Sequence, residues 1–263
     1  MMKVAILSAV PTCGKTTLME LLAGVFTISQ RRTAAIFSTG DMTDLVRSVE
    51  THDSEMKQKP DIVRAMIENN PGDKLLLDYG SRIGMENVFM YDILSAEMDD
   101  EDKAEFMIKA INAVPVDLTL VEFDGSMDRW LNQKIFTHMN CSLFLVYPSW
   151  KSMLNYSVIM ENLPNCPAKI NYKMIASMID SRSIGDKKFA SMIGQKIESL
   201  IRFPEKDLLQ KEALSAHLDA CCQKIVDGDP QYVDLRIPML EMMQYIYDQP
   251  NSKVIKEIDR WYK

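Results

Sequence analysis

The chain has 263 residues, with 30 Lys plus Arg against 37 Asp plus Glu and a formal net charge of −7. Hydrophobic residues make up 47 % and charged residues 25 %, enough apolar surface to offset chain entropy, which excludes an intrinsically disordered chain. The acidic balance argues against naked nucleic acid as the main partner, because that partner calls for a basic face; the length suits one large domain, or one domain with a small addition, that needs no disulfide or metal to hold its core.

Residues 3–8, KVAILS, form a compact apolar run with β-branched members. The run is too short for a helix and reads as a buried strand. PTCGKTT follows as a loop, and from about Thr16 to Ser29 the apolar Leu18, Leu21, Leu22, Val25 and Phe26 fall at helical spacing. Thr33 to Phe37 reads as a second strand that ends in STGD. Residues 42–72 read as helical in pieces, with Pro60 and the Pro-Gly-Asp at 71–73 as breaks, and LLLDYG at 75–80 reads as a short strand. EMDDEDKAEFMIKAINAV reads as an amphipathic helix whose acidic start suits the positive N-terminal end of the helix dipole.

VDLTLVEFDG at 116–125, CSLFLVYPS at 141–149 and YKMIASMID at 172–180 are three further strands. From about Lys187 the remainder reads as mostly helical, with a Phe-Pro at 203–204 and a loop at 227–230. The alternation of apolar strands with periodic helices predicts an α/β fold, a mainly parallel sheet with helices on both faces. Residues 1–250 form this domain, and 251–263 form a C-terminal amphipathic helix.

No run reaches the ~18 apolar residues of a membrane span, and MMKVAILSAV is short for a secretory signal. The expected location is the cytoplasm. Cys13, Cys141, Cys166, Cys221 and Cys222 show no zinc-site spacing and read as thiols. The three histidines are scattered, and the 20 methionines read as flexible core filler.

In a fold of this class ligands bind beyond the carboxyl ends of the strands, which directs attention to residues 9–17, Thr39 to Asp41, Asp124 to Ser126, Pro148 to Ser149 and Asp180 to Ser183. AVPTCGKTT at 9–17 matches the P-loop pattern at Gly14, Lys15 and Thr16, while Ala9 stands where its first Gly belongs. In such a loop, backbone N–H groups of the loop and helix N-terminus cradle phosphate oxygens, which makes Pro11, Thr12, Cys13, Gly14, Lys15, Thr16 and Thr17 the candidate nucleotide-binding stretch. Lys15 brings charge to the outer phosphates of a bound nucleotide, and the Thr16 hydroxyl can bind Mg²⁺. The plainer alternative is a strand-to-helix turn without a ligand. Asp124, after the third strong strand, reads as a Walker B carboxylate that holds Mg²⁺, and otherwise as the start of a turn with Gly125. Asp41 reads as the carboxylate that orients the attacking water, and otherwise as a turn residue.

The P-loop, Asp41, LVEFDG and LFLVYPSWKSMLN, in that order, resemble the MinD/ParA class of ATPases with a deviant Walker A motif. STGDMTDLV, YKMIASMIDSRSIGDKKFASMIG and IRFPEKDLLQKEAL are similar to segments of its TadZ/CpaE branch, which positions pilus and secretion machinery. The resemblance implies Mg-ATP binding, slow hydrolysis, a homodimer that sandwiches nucleotide, and protein partners in a surface apparatus such as a pilus or conjugation system. The class carries a signature Lys five residues before the P-loop Lys; here Val10 occupies that position, followed by Pro11 and Thr12, and Thr39 replaces the first of two family aspartates. Arg182 reads as a surface charge rather than a substitute for that Lys. SKVIKEIDRWYK resembles in character the membrane-targeting helix of MinD proteins, which implies peripheral contact with the inner face of the membrane; a helix docked on the domain is the preferred alternative. A degenerate P-loop scaffold without ATPase activity is the alternative for the whole chain.

Overall fold

A computed structural model of the chain describes residues 1–11, 13–40, 81–82, 85–91, 99–124, 129–179, 183–194, 201–204 and 218–249. In chain order these form β1 (Met2–Ser8), α1 (Lys15–Gln30), β2 (Ala34–Ser38), β3 (Ser81–Arg82), β4 (Val88–Met90), α2 (Asp100–Ala113), β5 (Leu118–Glu122), α3 (Trp130–Phe136), β6 (Cys141–Val146), α4 (Trp150–Asn162), α5 (Pro167–Ile170), β7 (Tyr172–Ile179), α6 (Asp186–Met192), β8 (Ile201–Pro204), α7 (Leu218–Asp227), a 3₁₀ turn (Pro230–Tyr232) and α8 (Val233–Tyr247).

The strands make one sheet in the order β3-β4-β2-β5-β1-β6-β7-β8. Every pairing is parallel except the antiparallel β3–β4 contact at the edge. The central strands are apolar on both sides because helices cover both faces. Alternation sends Val4 and Ile6 of β1 to one core, with Leu18 and Leu22 of α1, Cys221 of α7 and Met239 of α8. It sends Ala5 and Leu7 to the other, with Phe106 of α2, Leu131 of α3, Met153 of α4 and Phe189 of α6. Among the described residues ten methionines are buried in the two cores, including Met19, Met107, Met239 and Met242, which fits their expected role as filler. All five cysteines are buried thiols.

The predicted strands at 3–8, 33–37, 116–125, 141–149 and 172–180 are β1, β2, β5, β6 and β7. Two of them end earlier than the apolar runs suggest: β5 stops at Glu122 and β6 at Val146. The acidic helix forms as expected. Asp99 caps α2 by accepting the Asp102 N–H at 2.8 Å, with Asp100, Glu101 and Asp102 in the first turn. One stretch departs from the expectation, since residues 201–204 pair with β7 as β8 inside a region read as mostly helical. β3 and β4 also carried no sequence signal. Strands of two to four residues show no period of their own and are held by their neighbours. The helical pieces at 42–72, the strand at 75–80 and the helix at 251–263 lie outside the described residues.

Helix α1 passes close to α7 at Gly24. A Cβ there would stand 2.5 Å from Cys222 Sγ and 2.9 Å from Met85 Sδ, and Cys222 Sγ lies 3.9 Å from the Leu21 carbonyl. A β-branched side chain would force the two helices apart. Gly24→Val is expected to destabilise the fold by about 2–3 kcal/mol, read as a lower denaturation midpoint in urea with an unchanged slope.

Candidate functional site

The loop after β1 is held by elements that lie far away in sequence. The Ala9 N–H donates to the Leu145 carbonyl of β6 at 3.0 Å. The Ala9 carbonyl accepts from Asn155 Nδ2 of α4 at 3.1 Å. The Ser177 hydroxyl of β7 donates to the Cys13 carbonyl. Carbonyls at both ends of the loop are thus engaged from the protein side. Cys13 itself is 2 % exposed and fills the core beneath the loop, where burial pushes its thiol pKa up. Val10 packs against the same core.

Gly14 sits at φ 77° and ψ 27°, a left-handed conformation that glycine adopts without a Cβ clash. It is the N-cap of α1, and no side chain caps this helix end and no acidic residue lies in its first turn. The free N–H groups of a helix start need an acceptor, and the helix dipole favours an anionic one. Thr17 follows in the first turn, half-buried, and Pro11 is exposed. Thr12 and Asp41 lie outside the described residues.

Lys15 and Thr16 open α1 and face the end of β5. Lys15 Nζ donates to the Phe123 carbonyl at 2.9 Å, and lies 3.5 Å from Glu122 Oε1 and 3.7 Å from Asp124 Oδ1. The Thr16 hydroxyl donates to Glu122 Oε2 at 3.4 Å. Glu122 is the residue that the sequence reading missed. It is the last residue of β5, and its side chain is 13 % exposed, whereas Asp124 lies beyond the strand with a side chain 60 % exposed. Leu118 and Leu120 face the α1 core, so strand periodicity turns Glu122 toward α1 as well. A carboxylate closing an apolar strand was the available signal. Burial pushes the Glu122 carboxyl up from its usual range, and Lys15 beside it pulls the other way.

The end of β2 joins the same corner. The Thr39 N–H donates to the Glu122 carbonyl at 2.9 Å, and the Asp124 N–H donates to Thr39 Oγ1 at 3.0 Å. The predicted Lys15, Thr16 and Asp124 therefore meet at one place, and Gly40, the neighbour of Asp41, reaches it too. Among the described residues no three His, Cys, Asp or Glu side chains cluster as a metal cage. The hydroxyl of Thr16 and the carboxylates of Glu122 and Asp124 form an all-oxygen set. Such a set fits Mg²⁺, which is held by few protein ligands together with water and phosphate oxygens.

The anchoring bonds carry a prediction. Ser177→Ala and Asn155→Ala each remove a donor to a loop carbonyl, at a cost of about 1 kcal/mol. Amide hydrogen exchange is expected to speed up across residues 9–14 in both variants while β1 and β6 keep their protection. Unchanged exchange in the loop would show that these side chains do not hold it.

No protein-family model and no curated protein sequence matches the chain. Solved structures do match in three dimensions. A ParA family ATPase from Chlorobium tepidum TLS is 15 % identical, with 90 % of this chain and 95 % of that one covered at a TM-score of 0.69. A chain of the MinC:MinD cell division protein complex from Aquifex aeolicus is similar at 15 % identity, 93 % and 96 % coverage and a TM-score of 0.67. The septum site-determining protein MinD from Pyrococcus horikoshii OT3, solved with Mg-ADP, is 14 % identical over 92 % and 95 %, with a TM-score of 0.61. At such identities the likeness concerns the fold: this chain has the α/β fold of the ParA and MinD P-loop ATPases.

Proposed function

We propose that the chain is a MinD/ParA-like P-loop ATPase that binds Mg-ATP, hydrolyses it slowly and helps to position or assemble a pilus, secretion or conjugation apparatus. The observation that carries the nucleotide reading is the uncapped start of α1, with Lys15 and Thr16 facing Glu122. The loop N–H groups from Cys13 to Thr17 are assigned to the phosphates, and Lys15 to their outer oxygens. Thr16, Glu122 and Asp124 are the residues assigned to Mg²⁺, which when bound would offset phosphate charge. Asp41, next to Gly40, is assigned to orient the attacking water. The Mg-ADP bound by the Pyrococcus MinD supports this choice of ligand.

Slow turnover follows from Val10. A signature Lys at that position would reach the partner subunit's nucleotide and stabilise charge in phosphoryl transfer; Val10 instead packs on the core. A homodimer in this protein would therefore rest on side-chain contacts more than on nucleotide. The TadZ/CpaE-like segments support a role with surface machinery, and α4 offers a surface for a protein partner. Trp150, Leu154 and Val158 lie on its outer side, 58 %, 67 % and 55 % exposed, at helical spacing. Among the described residues no helix is long and apolar enough to cross a membrane; a peripheral membrane contact is assigned to residues 251–263. A scaffold that has lost hydrolysis is the second reading, and the substitutions at Ala9 and Val10 favour it.

Two variants test these roles. Lys15→Ala is expected to weaken ATP binding about tenfold or more by calorimetry, because a charge-assisted contact to phosphate is lost. Unchanged affinity would remove the P-loop assignment. Asp41→Ala is expected to leave binding within about twofold and to abolish phosphate release, since the carboxylate is assigned to the transition state alone. Wild-type protein that binds ATP but releases no phosphate would establish the scaffold reading.

A further inference from the structure

Lys15 is committed to anions of its own chain. An ammonium group has three donors, and here it meets the Phe123 carbonyl at 2.9 Å, Glu122 at 3.5 Å and Asp124 at 3.7 Å. Its side chain is 11 % exposed. Two carboxylates around one cation leave a local excess of negative charge at the place where phosphate would arrive. Of the two, Glu122 is buried and also accepts from Thr16. Asp124 is the exposed one, and its position is built.

Asp124 sits in a seat made by the end of β2. Its N–H is held by Thr39 Oγ1 at 3.0 Å. Gly40 leaves the room its carboxylate needs, since a Cβ on Gly40 would stand 2.5 Å from both Asp124 Cβ and Oδ2. The carboxylate is thus lodged between Lys15 on one side and the β2 end on the other. Thr39 and Gly40 lead directly to Asp41.

We propose that Asp124 is a resident anion that holds Lys15, and that a phosphate group must displace it, so that the contact between the P-loop and the end of β2 is a latch opened by nucleotide. This rests on the nucleotide reading above and adds a regulation to the same site. Phosphate wins the exchange because it brings more charge than one carboxylate and is met by backbone donors that Asp124 does not use. Its arrival detaches Asp124 from Lys15 and leaves it against Thr39 and Gly40 at the end of β2. Released from Lys15, the carboxylate would be available to help hold Mg²⁺, which reconciles its two roles.

The test removes the charge and keeps the shape. ATP is titrated without divalent cations, so that no metal role of Asp124 contributes. Asp124→Asn is expected to bind ATP about twofold to fivefold tighter than wild type, the size of one partly exposed ion pair. In protein without nucleotide, the same variant is expected to raise the rate of Lys15 acetylation by a soluble acylating reagent, read by mass spectrometry, because the amine loses a partner. Asp124→Ala, which needs no side-chain partner, should move both readings in the same direction and guards against a folding defect in one variant. Equal or weaker binding overturns the latch. Tighter binding with an unchanged Lys15 labelling rate also overturns it, since simple repulsion between Asp124 and phosphate would then account for the gain. Wild-type protein that binds no ATP overturns the nucleotide reading itself, an outcome distinct from a latch that fails while binding is intact.

Discussion

The site depends on the parallel register between β1 and β5. Ile6 stands opposite Glu122, and the chain leaves β1 two residues later to enter the loop. That register brings the last residue of β5 level with the start of α1. A slip by one residue would turn Glu122 to the other face of the sheet, away from Lys15 and Thr16. The register is in turn locked by apolar alternation: Val4, Ile6, Leu118 and Leu120 all belong to the core under α1. Core packing thus decides where a charged group can be placed.

Placing that group is costly. A carboxylate as buried as Glu122 loses much of its hydration, and its pKa direction records the penalty. Lys15 and Thr16 offset it with an ion pair and a hydrogen bond. The cation assigned to phosphate is therefore also the cation that keeps the acidic corner stable, so ligand binding at this site would be tied to the internal electrostatics of the protein.

The loop itself is a backbone device. Its Ala9 and Cys13 carbonyls are satisfied from α4 and β7, and its N–H groups open α1 without a side-chain cap. Helix α1 can present that end because its other residues are buried between the sheet, α7 and α8. The fold is shared with ParA and MinD proteins at about 15 % identity. Such a likeness survives sequence change because many apolar residues can fill the same alternating pattern. The departures at Ala9 and Val10 fall on small or apolar side chains packed on the two cores.

Local features were legible in the sequence. Apolar runs of five or more residues marked β1, β2, β5, β6 and β7, helical spacing marked α1, and the acidic start marked α2, since each of these signals lies within one element. Gly14, Lys15 and Thr16 were legible for the same reason: the strand, the turn and the helix that make a P-loop are contiguous. The tertiary structure decided the rest. β4 and β8 exist because neighbouring strands offer unpaired backbone. Asn155 and Ser177 hold the loop from 146 and 164 residues away. Glu122 outranks Asp124 as the buried partner of Lys15 because β5 ends two residues before the aspartate. Chain-local periodicity determines which elements form and which face of each is apolar. Which side chains converge on one point depends on strand order and register, and those arise only when the sheet is assembled.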